Sequence, residues 1–442
     1  MSRLKHPQVV IVGGGFAGLY AARGLARASV RVTLVDKRNY HLFRPMLYQV
    51  ATGLLSADEI APPLRSILSR QANIDVLMSE VIGVDKEEKL VQLPQGTVPF
   101  DFLVLATGIQ YNYFGHNEWK QFAPGLDSLD DADKIRGKVL LAFEEAERIA
   151  AGGSADQAQI QELLTFVLVG AGTVGVEMAG TLAEMARMAL VRDFRHIDPR
   201  SARIFLYEAG PRILPSYPED LSSKARRHLE QSGVTICTET SVESVSAEGI
   251  VAGGKHIRSR TVIWSAGVLA SPAARWLAMP TDRVGRVKVN PDLSIPGYPN
   301  IFAIGDTALV FAHSRNLIGL KNATVQPMPG LAQPAIQEGK YVANLIGRSV
   351  EGQSPPEPFW YWDKGDLAIV GRTFAVADLR FLRFSGLVAW LLWAGVHIYF
   401  LIGFANRLFV MLQWLIALII KRRAVRVLYT EPPPSKTPKQ SG

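Results

Sequence analysis

The sequence predicts an α/β fold of two Rossmann-like dinucleotide-binding domains followed by an amphipathic helical C-terminal region. Three observations predict it. A buried strand, a glycine turn and a helix follow one another twice, at residues 10–18 and again at 167–175. Each copy is followed by a second strand that ends on an acid, Asp36 in the first and Glu208 in the second. The chain then closes on a tryptophan-rich apolar run and a basic cluster. One such unit binds one dinucleotide, so two units in one chain imply two dinucleotides and electron traffic between them.

The glycines carry the first argument. A pyrophosphate sits well against a helix N-terminus, where unpaired N–H groups and the helix dipole favour an anion. In Val12-Gly13-Gly14-Gly15-Phe16-Ala17-Gly18, Gly13 makes the tight turn, Gly15 lets backbone approach the phosphate and Gly18 lets helix pack on strand. Gly170, Gly172 and Gly175, with Thr173 opening the helix, repeat the pattern. A carboxylate at the end of the second strand accepts hydrogen bonds from the ribose. Asp36 follows Gly13 by 23 residues, close to the usual spacing of about 20. Glu208 follows Gly170 by 38, and a long helix from Thr173 toward Phe194 is expected to absorb the excess.

Composition bounds the rest. The 442 residues suffice for two or three domains. With glycine counted and tyrosine left out, about 54% are apolar, above the usual ~45–50%, and the excess lies near the C-terminus. Cys237 is the single cysteine, which excludes an internal disulfide and a CxxC relay. Residues 9–12 are too short an apolar run for a signal peptide, so the expected compartment is cytoplasmic or similarly reducing. The eight histidines show no metal-binding spacing, and no metal is expected. A net charge of +8 raises nucleic acid as a partner, but no nucleic-acid motif accompanies it.

Along the chain, residues 8–38 open the first unit. Residues 40–53 form an irregular apolar loop that needs something flat to cover. Short strands are expected at 74–84 and 89–93, and a buried strand at 102–105 runs into Ala106-Thr107-Gly108. Residues 130–151 read as a helix, and Gly152-Gly153-Ser154 as a hinge or linker. A strand at 261–264 leads to Ser265-Ala266-Gly267, and another at 300–304 ends on Gly305-Asp306. Residues 332–346 are helical, with Gln333 as N-cap because Pro334 suits the first helical position. That helix start would offer its positive end to a reduced flavin. Proline marks a boundary at 354–358, and residues 431–442 read as disordered. The resulting division is a discontinuous first dinucleotide-binding domain at 1–125 and 285–350, a second at 126–284, and a membrane-association region at 351–430; the resemblance described next makes the first the FAD-binding domain and the second the NADH-binding domain.

These residues resemble a known family. Gly13, Gly14, Gly15, Gly18 and Asp36, with Ala106-Thr107-Gly108, Gly305-Asp306 and the second glycine motif, are similar to two-dinucleotide flavoproteins of the glutathione reductase type. Gly175-Val176-Glu177, the stretch from Ala332 to Gly339 and Asp363-Lys364-Gly365-Asp366 narrow the resemblance to type II NADH dehydrogenases, single-chain NADH:quinone oxidoreductases. The resemblance runs from residue 8 to about 428. It implies FAD on the first unit, with Asp36 and Lys37 at the ribose end, Asp306 at the ribityl chain, and Ala332 and Gln333 at the ring. It implies NADH on the second unit, held by Gly170, Gly172, Thr173, Gly175, Glu208 and Gly267, with Glu177 near the nicotinamide–flavin contact. Gln333 and Gln337 fall beside the quinone and Lys364 near the flavin ring. Disulfide reductases and sulfide:quinone oxidoreductases of this fold need reactive cysteines that Cys237 alone does not supply.

The tail bears on the membrane. Residues 384–406 carry no Asp, Glu, Lys or Arg and at 1.5 Å per residue would reach roughly 35 Å, enough to span a bilayer. Trp393, His397 and Tyr399 would then lie near its middle, where polar tips find few partners. Arg407 interrupts before a second run, 408–420. Two helices lying in the interface, with Lys421, Arg422, Arg423 and Arg426 on anionic headgroups, fit better. A helical dimer interface is a third reading, and a homodimer is an expectation from the likeness alone. The expected function is hydride transfer from NADH to FAD and two-electron reduction of a quinone without ion pumping, at the cytoplasmic face of the inner (plasma) membrane. The alternatives are a membrane-tethered NADH-sensing flavoprotein and a reductase of a small protein electron carrier.

Overall fold

Strand Gln8–Val12 is apolar from Val9 onward because parallel neighbours and helices cover both its faces. In this computed structural model, which describes residues 6–153, 156–321, 324–420 and 425–428, it pairs in parallel with Arg31–Asp36 on one side and Phe102–Leu105 on the other. Ile74–Met78 extends the sheet beyond the former and Tyr298–Ala303 beyond the latter. The chain therefore leaves this sheet after residue 105 and returns to it near 294.

The excursion builds the same thing again. Thr165–Val169 lies between Arg203–Tyr207 and Thr261–Trp264, and Val234–Cys237 adds the outer strand, all in parallel. In both units a three-stranded antiparallel meander comes between the outer strand and the returning one: residues 83–99 in the first and 242–258 in the second. The packing constraints repeat as well. A Cβ on Gly18 would stand 1.8 Å from the Gly13 carbonyl oxygen, and a Cβ on Gly175 would stand 1.9 Å from that of Gly170. Only glycine permits that approach of helix to turn.

Helix Ala332–Val350 packs across helix Phe16–Gly24, again through glycines, with Gly339 against the Ala17 carbonyl and Gly24 against Ala343. It begins at Ala332, as expected, but its cap is not Gln333. Leu331, in extended conformation, precedes it, so Gln333 lies inside the first turn rather than at the cap. Proline is tolerated there because N–H groups of the first turn have no helical acceptor. The second glycine-motif helix is also shorter than expected. Regular helix runs Thr173–Glu184, a wider π-helical turn follows at Met185–Ala189, and irregular chain rather than helix takes up much of the remaining distance to Arg203.

The C-terminal region starts with a three-stranded antiparallel sheet, Asp366–Gly371, Phe374–Asp378 and Arg383–Gly386. One cation organises its end: the Arg380 guanidinium, on a residue of positive φ, contacts Asp363 at 2.8 Å, Asp366 at 2.8 Å and Asp378 at 3.0 Å. The sheet is clamped to the second unit where the Cβ position of Gly180 lies 1.9 Å from the Val370 carbonyl oxygen.

The long apolar run at 384–406 is broken. Helix Leu387–Phe400 ends, Gly403 turns the chain at φ +97°, and helix Phe404–Ile420 follows. Among the described residues no helix is long and apolar enough to cross a membrane. Arg407 does not interrupt the helices. It lies inside the second and caps the first, donating to the Leu401 carbonyl at 2.7 Å and the Tyr399 carbonyl at 2.9 Å, which the helix end leaves without partners. Trp393, at 1% exposure, faces the protein interior against His397 and Trp414. Of the basic cluster, Lys421, Arg422 and Arg423 lie outside the described residues, as does the segment 431–442; Ser154 of the expected hinge does too. Arg426 pairs with Asp193 of the protein.

Candidate functional site

Both glycine turns open toward space that the protein does not fill. Gly15 and Gly172 are the residues just before their helices, and a Cβ on either would meet no atom within 4 Å. Free N–H groups at these helix starts face that space, which suits a pyrophosphate. Gly13 and Gly170 turn at φ +105° and +98° and press against the main chain of Ala106 and of Ser265-Ala266.

The two acids do the same work in each unit. Asp36 Oδ2 accepts the Gly14 amide at 2.6 Å, and Glu208 Oε2 accepts the Ala171 amide at 2.7 Å. The other oxygen accepts from Arg38 in the first unit (2.7 Å) and from Gly210 in the second (2.8 Å). A carboxylate has about four lone-pair sites, so each acid braces its glycine turn and keeps acceptors for ribose hydroxyls. Lys37, also singled out by the sequence, is exposed beside Asp36.

The floor of the first unit is a hydroxyl cluster. Thr107 contacts Ser271, its Oγ1 lies 3.2 Å from that of Thr307, and the Gly108 amide donates to Thr307 Oγ1 at 2.8 Å. Gly305 donates its amide to Glu338 Oε2 at 2.6 Å. Asp306 lies next to it on a recess of about 210 Å³ shared with Arg286, Gly330 and Glu338. Burial pushes the Asp306 carboxyl up, and burial pushes Glu338 to about 7. Two buried polar atoms here have no partner within the protein, His41 Nε2 and Gln333 Oε1. Buried polar atoms without partners are rare, and a bound polar ring would satisfy them. The open glycine turn, the spare acceptors of Asp36 and these orphan atoms together fit FAD.

In the second unit Thr173 bonds Tyr217, whose hydroxyl is held protonated chiefly by burial. Glu177 lies one turn on, 5% exposed, and accepts the amide of Ile369 in the C-terminal sheet; burial raises its pKa well above the usual carboxylate range. It therefore ties the second unit to the C-terminal sheet. Gly267 turns at φ +66° beneath the exposed ring of Phe114, where a Cβ would stand 2.5 Å from that ring.

The remaining residues meet on one edge of helix Ala332–Val350. Gln337 exchanges two hydrogen bonds with the main chain of Trp362, donating at 3.0 Å and accepting at 2.9 Å. The Lys364 ammonium lies 6.0 Å from the Trp362 ring centre and 5.3 Å from that of Phe400 in the tail. Burial, with help from Lys340, lowers its pKa. A ladder of rings then joins the first glycine turn to the tail. His41 bonds the Gly14 carbonyl, Phe16 packs edge-on to His41 and Phe43, Phe43 meets His397, and His397 stacks on Trp393. Burial lowers both histidines to about 4, so they are neutral near pH 7.

Glu338, His41 and Arg380 were not singled out by the sequence. Glu338 carried a signal, a carboxylate within the apolar stripe of Ala335, Val342 and Ile346. His41 and Arg380 carried none, since contacts distant in sequence define them.

Comparison with known proteins agrees with this architecture. Residues 7–339 match the pyridine nucleotide-disulphide oxidoreductase family, and residues 363–423 match the NDH2 C-terminal domain. The type II NADH:quinone oxidoreductase Ndh of Mycobacterium tuberculosis is 43% identical over 95% of this chain and 89% of its own. The type II NADH:quinone oxidoreductase of Staphylococcus aureus is 29% identical over 82% and 87%. Among solved structures, NDH2 of Plasmodium falciparum in complex with NADH superposes with a TM-score of 0.83 at 20% identity, covering 94% of this chain and 99% of that one. A sulfide:quinone oxidoreductase from Aquifex aeolicus shares the fold at a TM-score of 0.68 and 16% identity over 94% and 96%. Cys237 of the present chain lies on the outer strand of the second sheet.

Proposed function

From the premise that the chain belongs to the type II NADH:quinone oxidoreductases, we propose how its own residues carry two electrons from NADH through FAD to a quinone at a membrane surface. The observation that carries the reading is the duplicated brace, Asp36 on Gly14 and Glu208 on Ala171, each beside an open helix start. Bound FAD supplies the ring chemistry that accepts an electron pair from a nicotinamide and passes it on.

The first unit holds FAD. Gly13, Gly14, Gly15 and Gly18 cradle its pyrophosphate, Asp36 takes the ribose, and Ala106-Thr107-Gly108 with Gly305-Asp306 line the ribityl chain. Ala332 and Gln333 present the first-turn amides of a 19-residue helix toward the ring, where negative charge develops on reduction. The second unit holds NADH on Gly170, Gly172, Thr173 and Gly175, with Glu208 on the ribose and Gly267 under the nicotinamide side. A carboxylate at that ribose disfavours a 2′-phosphate, so NADH is preferred to NADPH. Glu177, bonded to Ile369, fixes the nucleotide unit against the C-terminal sheet.

Quinone approaches from the side of Gln337 and Lys364. Gln337 spends both ends of its amide on Trp362 and so positions Lys364 rather than touching the acceptor itself. The Lys364 ammonium, flanked by Trp362 and Phe400, stabilises charge on the reduced quinone and donates a proton from Nζ.

The tail meets the membrane surface from the cytoplasmic side. Its second helix turns Leu408, Leu412, Leu415 and Ile419 outward, between 41% and 71% exposed. That spacing of four, three and four residues is one continuous apolar face, of the kind that marks an interaction surface. The test is a purification followed by absorbance: a yellow protein that NADH bleaches and a short-chain quinone recolours. A colourless protein, or one whose bleached form no quinone reoxidises, refutes the reading.

A further inference from the structure

We propose that the turn at residues 315–321 is a second lipid-inserting element, standing across the Lys364 site from the tail helices, so that the site mouth is bordered by bilayer on two sides. The proposal rests on the membrane reading above and adds to it an element outside the tail.

This turn has the make-up of an interfacial wedge. Its tip, Leu317-Ile318-Gly319-Leu320, is apolar and outward, with Ile318 at 60% and Leu320 at 64% exposure. Asn316 closes it: its main chain bonds Leu320 and its side chain accepts the Leu320 amide at 2.9 Å. A closed turn holds its side chains out instead of folding them onto the core. Directly below the tip is a collar of two tryptophans and two cations. Arg315 lies 5.7 Å from the Trp362 ring centre, and Lys321 lies 5.5 Å from that of Trp360. Among the described residues neither cation has a carboxylate partner. An apolar tip above a collar of tryptophans and unpaired cations matches hydrocarbon above a headgroup boundary that carries anionic phosphate.

The wedge is also continuous with the rest of that face. Trp362 Nε1 donates to the Asn316 carbonyl at 3.1 Å, and Trp362 is the residue that Gln337 holds. Lys364 bridges from Trp362 to Phe400, and next to Phe400 the turn between the tail helices exposes Tyr399 and Phe404 at 70% and 84%. An acceptor dissolved in lipid would pass from bilayer to Lys364 without crossing water.

The test places an environment-sensitive nitrobenzoxadiazole dye on the full-length flavoprotein. With Cys237→Ser as background, the dye goes on Ile318→Cys or, as a marker for the tail, on Leu412→Cys. Vesicles of phosphatidylcholine and phosphatidylglycerol are then added, carrying spin-labelled acyl chains. The expected result is a blue shift at both positions, quenching by the spin-labelled lipid and protection from aqueous iodide. Ile318→Asp should weaken vesicle binding about tenfold, the factor one buried aliphatic side chain is worth, and should raise KM for a long-tailed quinone in vesicles while leaving that for a water-soluble quinone unchanged. A dye at 412 in lipid with the dye at 318 in water overturns the wedge alone. Both dyes in water overturn the membrane reading and the wedge together. A dye at 318 already shielded before vesicles are added overturns the wedge in favour of a second copy of the chain covering the tip.

Discussion

Gln337 and Trp362 form a closed ring of two hydrogen bonds, the side-chain amide of one against the main chain of the other. This ring fastens the strand that carries the Lys364 segment to the helix that starts at Ala332. Gln337→Leu leaves both Trp362 groups to water, at a cost of about 1 kcal/mol in stability because the site is partly exposed. The larger effect falls on Lys364. Stopped-flow absorbance is expected to show NADH-driven bleaching at the normal rate and slow reoxidation by quinone.

The glycine motifs permit a paired experiment. Gly175→Ala places a methyl 1.9 Å from the Gly170 carbonyl and 2.8 Å from Ser265 Oγ, so the second unit must distort. Gly172→Ala meets no protein atom and sits at an ordinary φ of −69°. Thermal unfolding should drop sharply for Gly175→Ala and hardly move for Gly172→Ala. The latter should raise KM for NADH at unchanged FAD content, because its methyl points where the pyrophosphate lies.

Glu208→Gln removes the charge that opposes a 2′-phosphate while keeping an oxygen for the Ala171 amide. The ratio of kcat/KM for NADPH to that for NADH should rise about tenfold, the value of roughly 1.4 kcal/mol of charge repulsion. An unchanged ratio would place the discrimination elsewhere.

Glu338 makes stability depend on pH. Burial raises its folded pKa to about 7 from an ordinary value of 4.5. The folded state then binds more protons than the unfolded state between those values. Its contribution is complete below about 4.5 and is lost as pH rises through about 7, an amount of up to about 3 kcal/mol. Glu338→Gln keeps an acceptor for Gly305 and cannot titrate. Chemical denaturation between pH 4.5 and 8 should show a flatter profile for the variant, with its relative gain at the alkaline end.

Deleting everything after residue 380 would not test the membrane role cleanly. It removes strand Arg383–Gly386, the buried Trp393, and Trp414, whose Nε1 bonds Gln49 at 2.8 Å. Surface substitution is the sound route. Leu412→Asp with Ile419→Asp changes only outward residues of the second tail helix. Vesicle co-sedimentation should fall by about tenfold or more, with flavin absorbance intact.

Much of the site was legible because short-range chemistry dictates it. The strand–glycine–helix pattern names the residues that approach phosphate, and in the structure Gly13, Gly15 and Gly18 take the turn, the open face and the helix contact. What the sequence could not show depends on partners far along the chain. Nothing local says that Gln337 bonds Trp362, that Arg380 gathers three aspartates, or that Arg407 caps the helix before it. The cap of the helix at Ala332 reads as Gln333 but is Leu331, because proline is equally at ease anywhere in a first turn. The sequence predicts two tail helices but puts the break at Arg407, because hydropathy does not register a single glycine turn such as Gly403.

The contact between Gly180 and Val370 leaves no slip plane between the nucleotide unit and the sheet that leads into the tail. Sliding of these two parts past one another would break that contact, so the nucleotide unit and the sheet are expected to move together. With the tail seated on a bilayer as proposed, the nucleotide unit and this sheet keep one bearing to each other, and the reactants pass between walls that do not slide. Gly180→Ala would force those walls apart, and the loss would register in both half-reactions at once.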